Sequence, residues 1–291
     1  VNMPMASKAI KHPRQQAMSA TAATIVLGLL CGLCSCLALV QPSIGHRMKA
    51  RPQTATMMRM ASSTGPNRLM SVSLLRQAYC ALRHGQSLAN VEGIISSDPL
   101  IATVQHGLSD AGKEQARAAG NRIAENLVGG EEGIQGVAIY SSDFARARET
   151  ANFVADALVR HSIPLHKGGV ILETRLRERN FGQLNGGPDS RYGDVWEIDA
   201  DDADHTDFGV ESVNSVLDRT TGLVLDIDDE LSTTGGKNWK CILVAHGDVL
   251  QILQTGFRRM DGSLHRTLPH LETATERNLV LADPYCSRHA I

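Results

Sequence analysis

Two short apolar runs, each followed at once by a His-Gly pair, constrain the fold of this chain more than any other feature. Residues 78–82 are followed by Arg83-His84-Gly85, and residues 241–245 by His246-Gly247. Apolar runs of this length are typical of strands buried in a parallel sheet. Glycine then lets the backbone turn sharply and approach a ligand closely. Both histidines are therefore predicted at the carboxyl ends of strands, where open α/β sheets bind their ligands.

Apolar runs and amphipathic stretches alternate along the rest of the chain. The predicted strands are 79–82, 137–140, 170–172, 241–245 and 278–281. The helical spacing of apolar residues predicts helices over 109–127, 143–159, 211–231 and 248–257. Residues 181–209 are rich in Gly and Asp and are predicted to form a long loop or a small cap. The alternation predicts an α/β fold, a three-layer sandwich with a mostly parallel central sheet and helices on both faces.

The charged residues divide the chain into a basic leader and an acidic body. Residues 1–91 contain ten Lys and Arg and no Asp or Glu, whereas residues 92–291 contain 19 Lys and Arg against 31 Asp and Glu. The body therefore has a formal charge of −12, and an acidic surface disfavours non-specific binding to nucleic acid. We expect no nucleic-acid partner.

The leader has the composition of a targeting segment. Lys8, Lys11 and Arg14 precede an apolar centre at 25–40, which is the layout of a signal peptide. Residues 46–76 are rich in Arg, Ser, Thr and Met and contain no acid, as transit peptides do. We predict a leader over 1–76 that is disordered or removed and routes the protein to an organelle, namely a plastid. In the alternative, the apolar centre anchors the protein in a membrane or directs it into the secretory pathway.

Residues 77–291 are predicted to form one catalytic domain with a short acidic cap loop at about 186–209. Arg83 offers forked donors for a dianion, and His84 can act as a nucleophile near neutral pH. Two further segments carry charged side chains directly after predicted strands. They are Ser-Asp-Phe-Ala-Arg-Ala-Arg-Glu-Thr-Ala at 142–151 and Leu-Arg-Glu-Arg-Asn-Phe-Gly at 176–182.

Together these motifs resemble the histidine phosphatase superfamily, also called phosphoglycerate mutase-like, and specifically its phosphatase branch. The resemblance covers about residues 77–282 in the family's order. It implies a phosphohistidine intermediate on His84, with Glu178 as the proton donor, and a small phosphorylated metabolite as the substrate. It implies no metal and no cofactor. The phosphate clamp that it implies consists of Arg83, Arg146 and His246, with Asn90, Gly85, Gln86 and Gly247 as substrate-binding residues.

The residues by themselves leave simpler interpretations open. Arg146 could belong to a solvated helix face, Glu178 to a surface ion pair, and Asn90 to a turn. The stretch 269–274 receives no role. The remaining histidines are expected at the surface or in structural roles; they are His106, His161, His166, His205, His265 and His270.

Two departures from the family pattern concern the substrate more than the reaction. Asn185 stands where the family has Glu, and Asp248 replaces the Gly that commonly follows the second His-Gly. The leading hypothesis is a phosphomonoester hydrolase. The alternatives are a phosphoglycerate mutase, for which the acidic cap is poorly suited to an anionic glycerate, and an inactive phosphate-binding module. The sequence leaves the oligomeric state open.

Overall fold

The computed structural model describes residues 65–130, 133–233 and 238–283. Most of the predicted leader, including its apolar centre at 25–40, lies outside these residues, so the targeting and anchor hypotheses stay predictions. No helix among the described residues is long and apolar enough to cross a membrane.

A five-stranded sheet forms the middle of the body, in the order β3-β2-β4-β1-β5. The first four strands are parallel to their neighbours, and only β5 is antiparallel to its partner β1. This confirms the predicted mostly parallel sheet. The strands are β1 (Ala78–Arg83), β2 (Ile134–Ser141), β3 (Leu165–Leu172), β4 (Asn238–Ala245) and β5 (Glu276–Leu279).

Helices cover both faces of this sheet, as the sequence predicts. Successive side chains of β4 alternate between two buried clusters, because side chains in a strand point to opposite faces in turn. Leu243 packs into the cluster that contains α6 and α7, whereas Ile242 and Val244 pack into the cluster with α3 and α4. The helices are α1 (Leu88–Glu92), α2 (Pro99–Ala102), α3 (Asp110–Gly130), α4 (Ala145–Arg160), α5 (Tyr192–Asp201), α6 (Val213–Thr233) and α7 (Gly247–Arg258).

Two local predictions need correction. Of the two alternatives for residues 181–209, a single long loop is wrong, because they contain the helix α5. Helix α4 begins at Ala145 rather than at 143, and no side chain caps it. Asp143 accepts two hydrogen bonds from Arg177, at 2.8 and 2.6 Å, which uses both of its carboxylate oxygens.

The packed body also begins before residue 77. Arg68–Ser71 form a turn of 3-10 helix whose Leu69 is fully buried in the cluster with α6 and α7. The Asn67 amide donates to the Gly256 carbonyl of α7 across 3.2 Å, and Arg68 pairs with Asp218 of α6 at 2.7 Å. The last part of the predicted leader therefore belongs to the body, because its apolar side chain fills the core between two helices.

Candidate active site

The two His-Gly pairs lie side by side at one edge of the sheet. Strands β1 and β4 are adjacent and parallel, and their register places Arg83 opposite Ala245. The next residue on each strand is a histidine, and the backbone N–H of His84 donates to the Ala245 carbonyl across 3.0 Å. The centroids of the His84 and His246 rings are 5.1 Å apart.

His84 is held as a neutral imidazole with its proton on Nδ1 and its lone pair on Nε2. Its Nδ1 lies 2.7 Å from the Gly85 carbonyl oxygen, which can only accept, so Nδ1 carries the proton. At the other side of the ring, Arg146 donates its Nε–H to His84 Nε2 across 3.1 Å. Burial first, and then the charges of Arg146 and Arg83, lower the His84 pKa well below its ordinary value of 6.5. The imidazole is therefore prepared as a nucleophile at neutral pH.

Gly85 lets the backbone after His84 pass close against helix α3. A Cβ at this position would lie 2.5 Å from the Gly112 carbonyl oxygen, which is backbone and has little room to move. The Gly85 N–H donates to Thr150 Oγ1 across 3.0 Å, and Thr150 in turn donates to the Arg146 carbonyl across 2.7 Å. The nucleophile's loop and the first turn of α4 are thus fixed to each other.

Arg146 is buried, so its assignment to a solvated helix face is wrong. It is 4% exposed, and its Nη2 donates to the Ser96 carbonyl across 2.9 Å. Its hydrogen bond to His84 places the guanidinium at the nucleophilic nitrogen. A cation at this position faces the oxygens of any phosphoryl group that His84 contacts.

Arg83 has a partner that the sequence did not assign to the site. Its Nη1 donates to the Leu271 carbonyl across 2.9 Å and lies 2.6 Å from Nε2 of His270. Burial and the Arg83 charge lower the His270 pKa, so its ring is a neutral acceptor. His270 is exposed, as predicted, yet it lines the cavity. No local pattern signals this contact, because it arises when β5 pairs antiparallel to β1 and brings the chain before β5 past Arg83.

His246 is fully buried beside His84. Its Nε2 lies 3.0 Å from Ser142 Oγ, and this hydroxyl accepts from the Phe144 N–H at 3.2 Å, so its own proton is available for Nε2. Nδ1 then carries the imidazole proton, and it has no hydrogen-bond partner among the described residues. Burial, and next the charge of Arg146, lower the His246 pKa well below 6.5.

Glu178 is 9% exposed and is not part of a surface ion pair. One of its oxygens accepts from the Arg179 N–H across 3.0 Å. Burial and then the charge of Asp248 raise its pKa to about 7, against the opposing effect of Arg146. A carboxyl group that is half protonated near neutral pH suits proton donation to a leaving group. The flanking arginines pair elsewhere: Arg175 with Glu173 and Asp226, Arg177 with Asp143, and Arg179 with Asp199.

The remaining predicted binding residues have different positions. Asn90 lines the cavity, and its side chain also forms a capping box with Ser87 at the start of α1. Gln86 does not line the cavity, because its side-chain oxygen accepts from Ser109 Oγ across 2.8 Å. Gly85 does not line the cavity, whereas Gly247 lines it next to His270, whose Cε1 would be 3.0 Å from an added Cβ.

A cavity of about 220 Å³ lies at the centre of this site. Arg83, His84, Arg146 and Glu178 line it. Helix α5 adds Tyr192 and Trp196 to the lining, and their rings stack with centroids 5.3 Å apart. Across the described ranges, no three His, Cys, Asp or Glu side chains are grouped so as to hold a metal ion.

A buried charge network fixes α5 over the cavity. Arg179 is 0% exposed and donates two hydrogen bonds of 2.7 Å to Asp199 of α5. His205 Nε2 lies 2.7 Å from the same carboxylate. Asp248 accepts from the Trp196 indole at 3.1 Å and from Arg179 at 3.4 Å. Asp248, which stands where the family pattern commonly has Gly, therefore connects α5 to the start of α7.

Asn185, the other departure, also has a structural role. Its Oδ1 accepts from the backbone N–H groups of Ser97 and Asp98, at 2.7 and 3.0 Å. It lies outside the group of side chains around the cavity and holds the segment before α2.

A sequence profile described as the histidine phosphatase superfamily (branch 1) matches residues 79–284, which include every residue of this site. The chain belongs to the histidine phosphatase superfamily. The matched range begins in β1 and ends after β5, so the family's domain contains the complete sheet.

The relatives of this superfamily member include mutases and a phosphatase. The 2,3-bisphosphoglycerate-dependent phosphoglycerate mutase of Corynebacterium efficiens is 29% identical over 197 residues, which cover 59% of this chain and 72% of that one. The enzyme of the same name from Corynebacterium glutamicum is 28% identical over 224 residues, covering 68% and 83%. A mycobacterial glucosyl-3-phosphoglycerate phosphatase complexed with VO3 is 25% identical with a TM-score of 0.55, covering 69% of this chain and 89% of that structure.

Proposed function

We propose that this protein hydrolyses small phosphate monoesters through a phosphohistidine on His84. The observation that carries the proposal is the convergence of a nucleophilic nitrogen and two guanidinium groups, those of Arg83 and Arg146, on one small cavity. Arg146 donates to the lone pair of His84 Nε2, and a phosphoryl group at Nε2 would take over this donor. Arg83 Nε, and Nδ1 of His246 in the ring next to His84, are buried atoms with no hydrogen-bond partner among the described residues. A phosphoryl group, with three non-bridging oxygens, would supply acceptors for all three donors.

The first step transfers the phosphoryl group to the protein. His84 Nε2 forms a bond to phosphorus while the bond between phosphorus and the ester oxygen breaks, and protonated Glu178 gives its proton to the departing alcohol. Arg83, Arg146 and His246 stabilise the charge on the non-bridging oxygens. Because the pKa of Glu178 is about 7, a large fraction of the protein holds this proton at neutral pH.

The second step returns the protein to its starting state. Glu178, now a carboxylate, accepts a proton from a water molecule whose oxygen attacks phosphorus. The bond between phosphorus and Nε2 breaks, and inorganic phosphate leaves. The same carboxyl group thus acts first as acid and then as base.

A mutase is the second candidate, favoured by the names of the curated relatives. It would share the phosphohistidine but return the phosphoryl group to a glycerate instead of to water. The similarity to a mycobacterial phosphatase supports hydrolysis, as does the acidic character of the cap.

The test is turnover of an aryl phosphate by the full chain, with and without added 2,3-bisphosphoglycerate. We expect release of inorganic phosphate without the bisphosphate, loss of turnover in His84→Ala, and acid-labile label on the wild-type protein after brief exposure to a ³²P-labelled ester. His161→Ala removes an exposed histidine at the end of α4 and serves as the matched control. Interconversion of phosphoglycerates without net phosphate release would establish the mutase instead. Binding of phosphate esters without turnover would establish an inactive module.

The location of the protein is a separate proposal. The basic, acid-free leader supports delivery to a plastid. Residues 1–64 fused to a fluorescent protein should enter that organelle in cells that contain one. Retention of the fusion in the secretory pathway or at a membrane would favour the anchor.

A further inference from the structure

We infer that the leaving alcohol of the substrate carries hydrogen-bond donors, hydroxyl or ammonium, and no negative charge. This inference rests on the proposed hydrolase function and names the substrate class for it. It would separate the protein from enzymes whose substrates are glycerate esters.

Both arginine side chains that line the cavity would contact the phosphoryl group. Among the described residues that line it, the only Lys or Arg side chains are Arg83 and Arg146, and both lie beside His84. His270 also lines the cavity, but burial and Arg83 lower its pKa and keep it neutral. Arg266 covers the Trp196 ring at 3.6 Å but is not among the lining residues. A carboxylate on the substrate would therefore meet no cation beyond the phosphate clamp.

Two carboxylates line the cavity in addition to the proposed proton donor Glu178, and one of them, Asp248, is near enough to Glu178 to raise its pKa. Asp248 is 5% exposed at the start of α7 and lines the cavity. It accepts one hydrogen bond from Trp196 and a longer one from Arg179. A carboxylate offers about four lone-pair positions, so Asp248 can still accept from a hydroxyl or an ammonium group. Asp189 adds a second carboxylate at the exposed rim.

Most acidic residues of the cap do not line the cavity. The sequence places eight acidic residues between 186 and 209, but only Asp189 among them lines the cavity. Asp199, for example, is fully buried against Arg179. Substrate discrimination therefore depends on two carboxylates at defined positions, Asp189 and Asp248, rather than on the overall charge of the cap.

The size of the cavity and its aromatic wall limit the alcohol further. About 220 Å³ is smaller than the cavities that hold drug-sized ligands, and it suits an ester of a few carbon atoms. Tyr192 and Trp196 offer apolar surface to the carbon skeleton between its donor groups. A short polyol or amino alcohol matches both the acceptors and the wall.

Two matched pairs of esters test the inference with the full-length protein. Glycerol 3-phosphate and 3-phosphoglycerate share a skeleton and differ in a hydroxymethyl group against a carboxylate. Phosphoethanolamine and phosphoglycolate differ in an ammonium group against a carboxylate. In both pairs we expect kcat/KM to be higher for the donor-bearing ester by roughly tenfold or more, since a carboxylate would lie against like charges. Equal or reversed preference in both pairs would overturn the inference.

Charge reversal at the rim gives a second, independent measurement. Asp189→Lys should lower the preference for glycerol 3-phosphate over 3-phosphoglycerate by roughly tenfold. Asp194→Lys makes the same change on α5, at an exposed residue that pairs with Arg191 and does not line the cavity, and should leave the preference unchanged. An identical effect of both variants would show that only bulk charge matters and would contradict the inference.

The two proposals fail in different ways. If an aryl phosphate is hydrolysed but none of the four esters is, the hydrolase stands and the substrate class is wrong. If nothing is hydrolysed, the hydrolase is wrong, and dissociation constants of the four esters from calorimetry still rank the pairs. Weaker binding of the donor-bearing esters would then reject the substrate class as well.

Discussion

Arg146 donates its Nε–H to Nε2 of His84 across 3.1 Å, and both side chains are buried. The donor on Arg146 and the carbonyl of Gly85 hold opposite nitrogens of one imidazole, so the ring has a single favoured tautomer and orientation. The guanidinium beside Nε2 also disfavours protonation of the ring. The same pair thus positions the nucleophile and keeps it neutral.

This relationship predicts the protonation state of His84. In ¹⁵N NMR spectra, the His84 ring should stay in its neutral Nδ1–H form at pH values well below 6.5. Arg146→Met should raise the His84 pKa, because it removes the second largest cause of the depression, but burial remains and should keep the pKa below 6.5. A wild-type His84 that titrates near the ordinary value of 6.5 would contradict this account.

Glu178 should set the alkaline limb of the activity profile. Because the protonated form donates to the leaving alcohol, kcat/KM for an alkyl phosphate should fall as the pH rises through about 7, the pKa of Glu178. Glu178→Gln should reduce kcat/KM by roughly 10²- to 10⁴-fold for that substrate. Steady-state rates from pH 5 to 9 provide the measurement.

An aryl phosphate provides the control for this role. Its leaving group needs little help from an acid, but hydrolysis of the phosphohistidine still needs a base. Glu178→Gln should therefore release a burst of aryl alcohol equal to the enzyme concentration, followed by slow turnover. Equal losses on both substrates with no burst would place Glu178 outside proton transfer.

Ionisation of buried Glu178 should lower the free energy of unfolding as the pH rises. The folded-state pKa of about 7 lies above the ordinary value of 4.5, so the folded state binds more protons in this window. The contribution of Glu178 to the free energy of unfolding should then fall by about 3 kcal/mol between pH 4.5 and 7 and remain lower above it. Glu178→Gln has no such ionisation and does not lose stability in this way. In urea unfolding, its free energy of unfolding should therefore rise relative to that of the wild type up to about pH 7. A constant difference between the two proteins across this range would refute the buried, raised-pKa carboxyl.

Gly85→Ala should disturb the fold where Gly193→Ala does not. The added methyl group would lie 2.5 Å from the Gly112 carbonyl oxygen, and we expect a loss of about 1–3 kcal/mol in the free energy of unfolding. Gly193 is in helix α5 with nothing within 4 Å of an added Cβ, so alanine there should stabilise by about 0.5–1 kcal/mol. Chemical unfolding of both variants measures the contrast. Equal stabilities would show that the loop after His84 is not tightly packed against α3.

His270 should act by positioning Arg83. His270→Ala removes the acceptor 2.6 Å from Arg83 Nη1, whereas the shorter amide of His270→Asn keeps an acceptor on the same segment. We expect His270→Ala to lower kcat/KM by roughly tenfold, mainly through KM, with partial rescue in His270→Asn. A loss in kcat alone, with the pH profile shifted, would instead indicate that His270 takes part in proton transfer.

The sequence by itself determined the parts of this protein that depend on local pattern. Apolar runs fixed the existence of all five strands, and the alternation with helices fixed the layered architecture. Parallel pairing then brings residues at the carboxyl ends of β1 and β4 together, so His84 and His246 could be expected as neighbours before any coordinates.

Only the tertiary structure decided what depends on long-range packing. His270 reaches Arg83 because β5 pairs antiparallel with β1, and no local pattern encodes that pairing. The pKa of Glu178 depends on burial beneath the cap and on Asp248, which is 70 residues away along the chain. The sequence specifies the chemical groups of each side chain. Burial and electrostatic neighbours arise only when distant segments pack, and they determine which carboxylates and cations face the substrate.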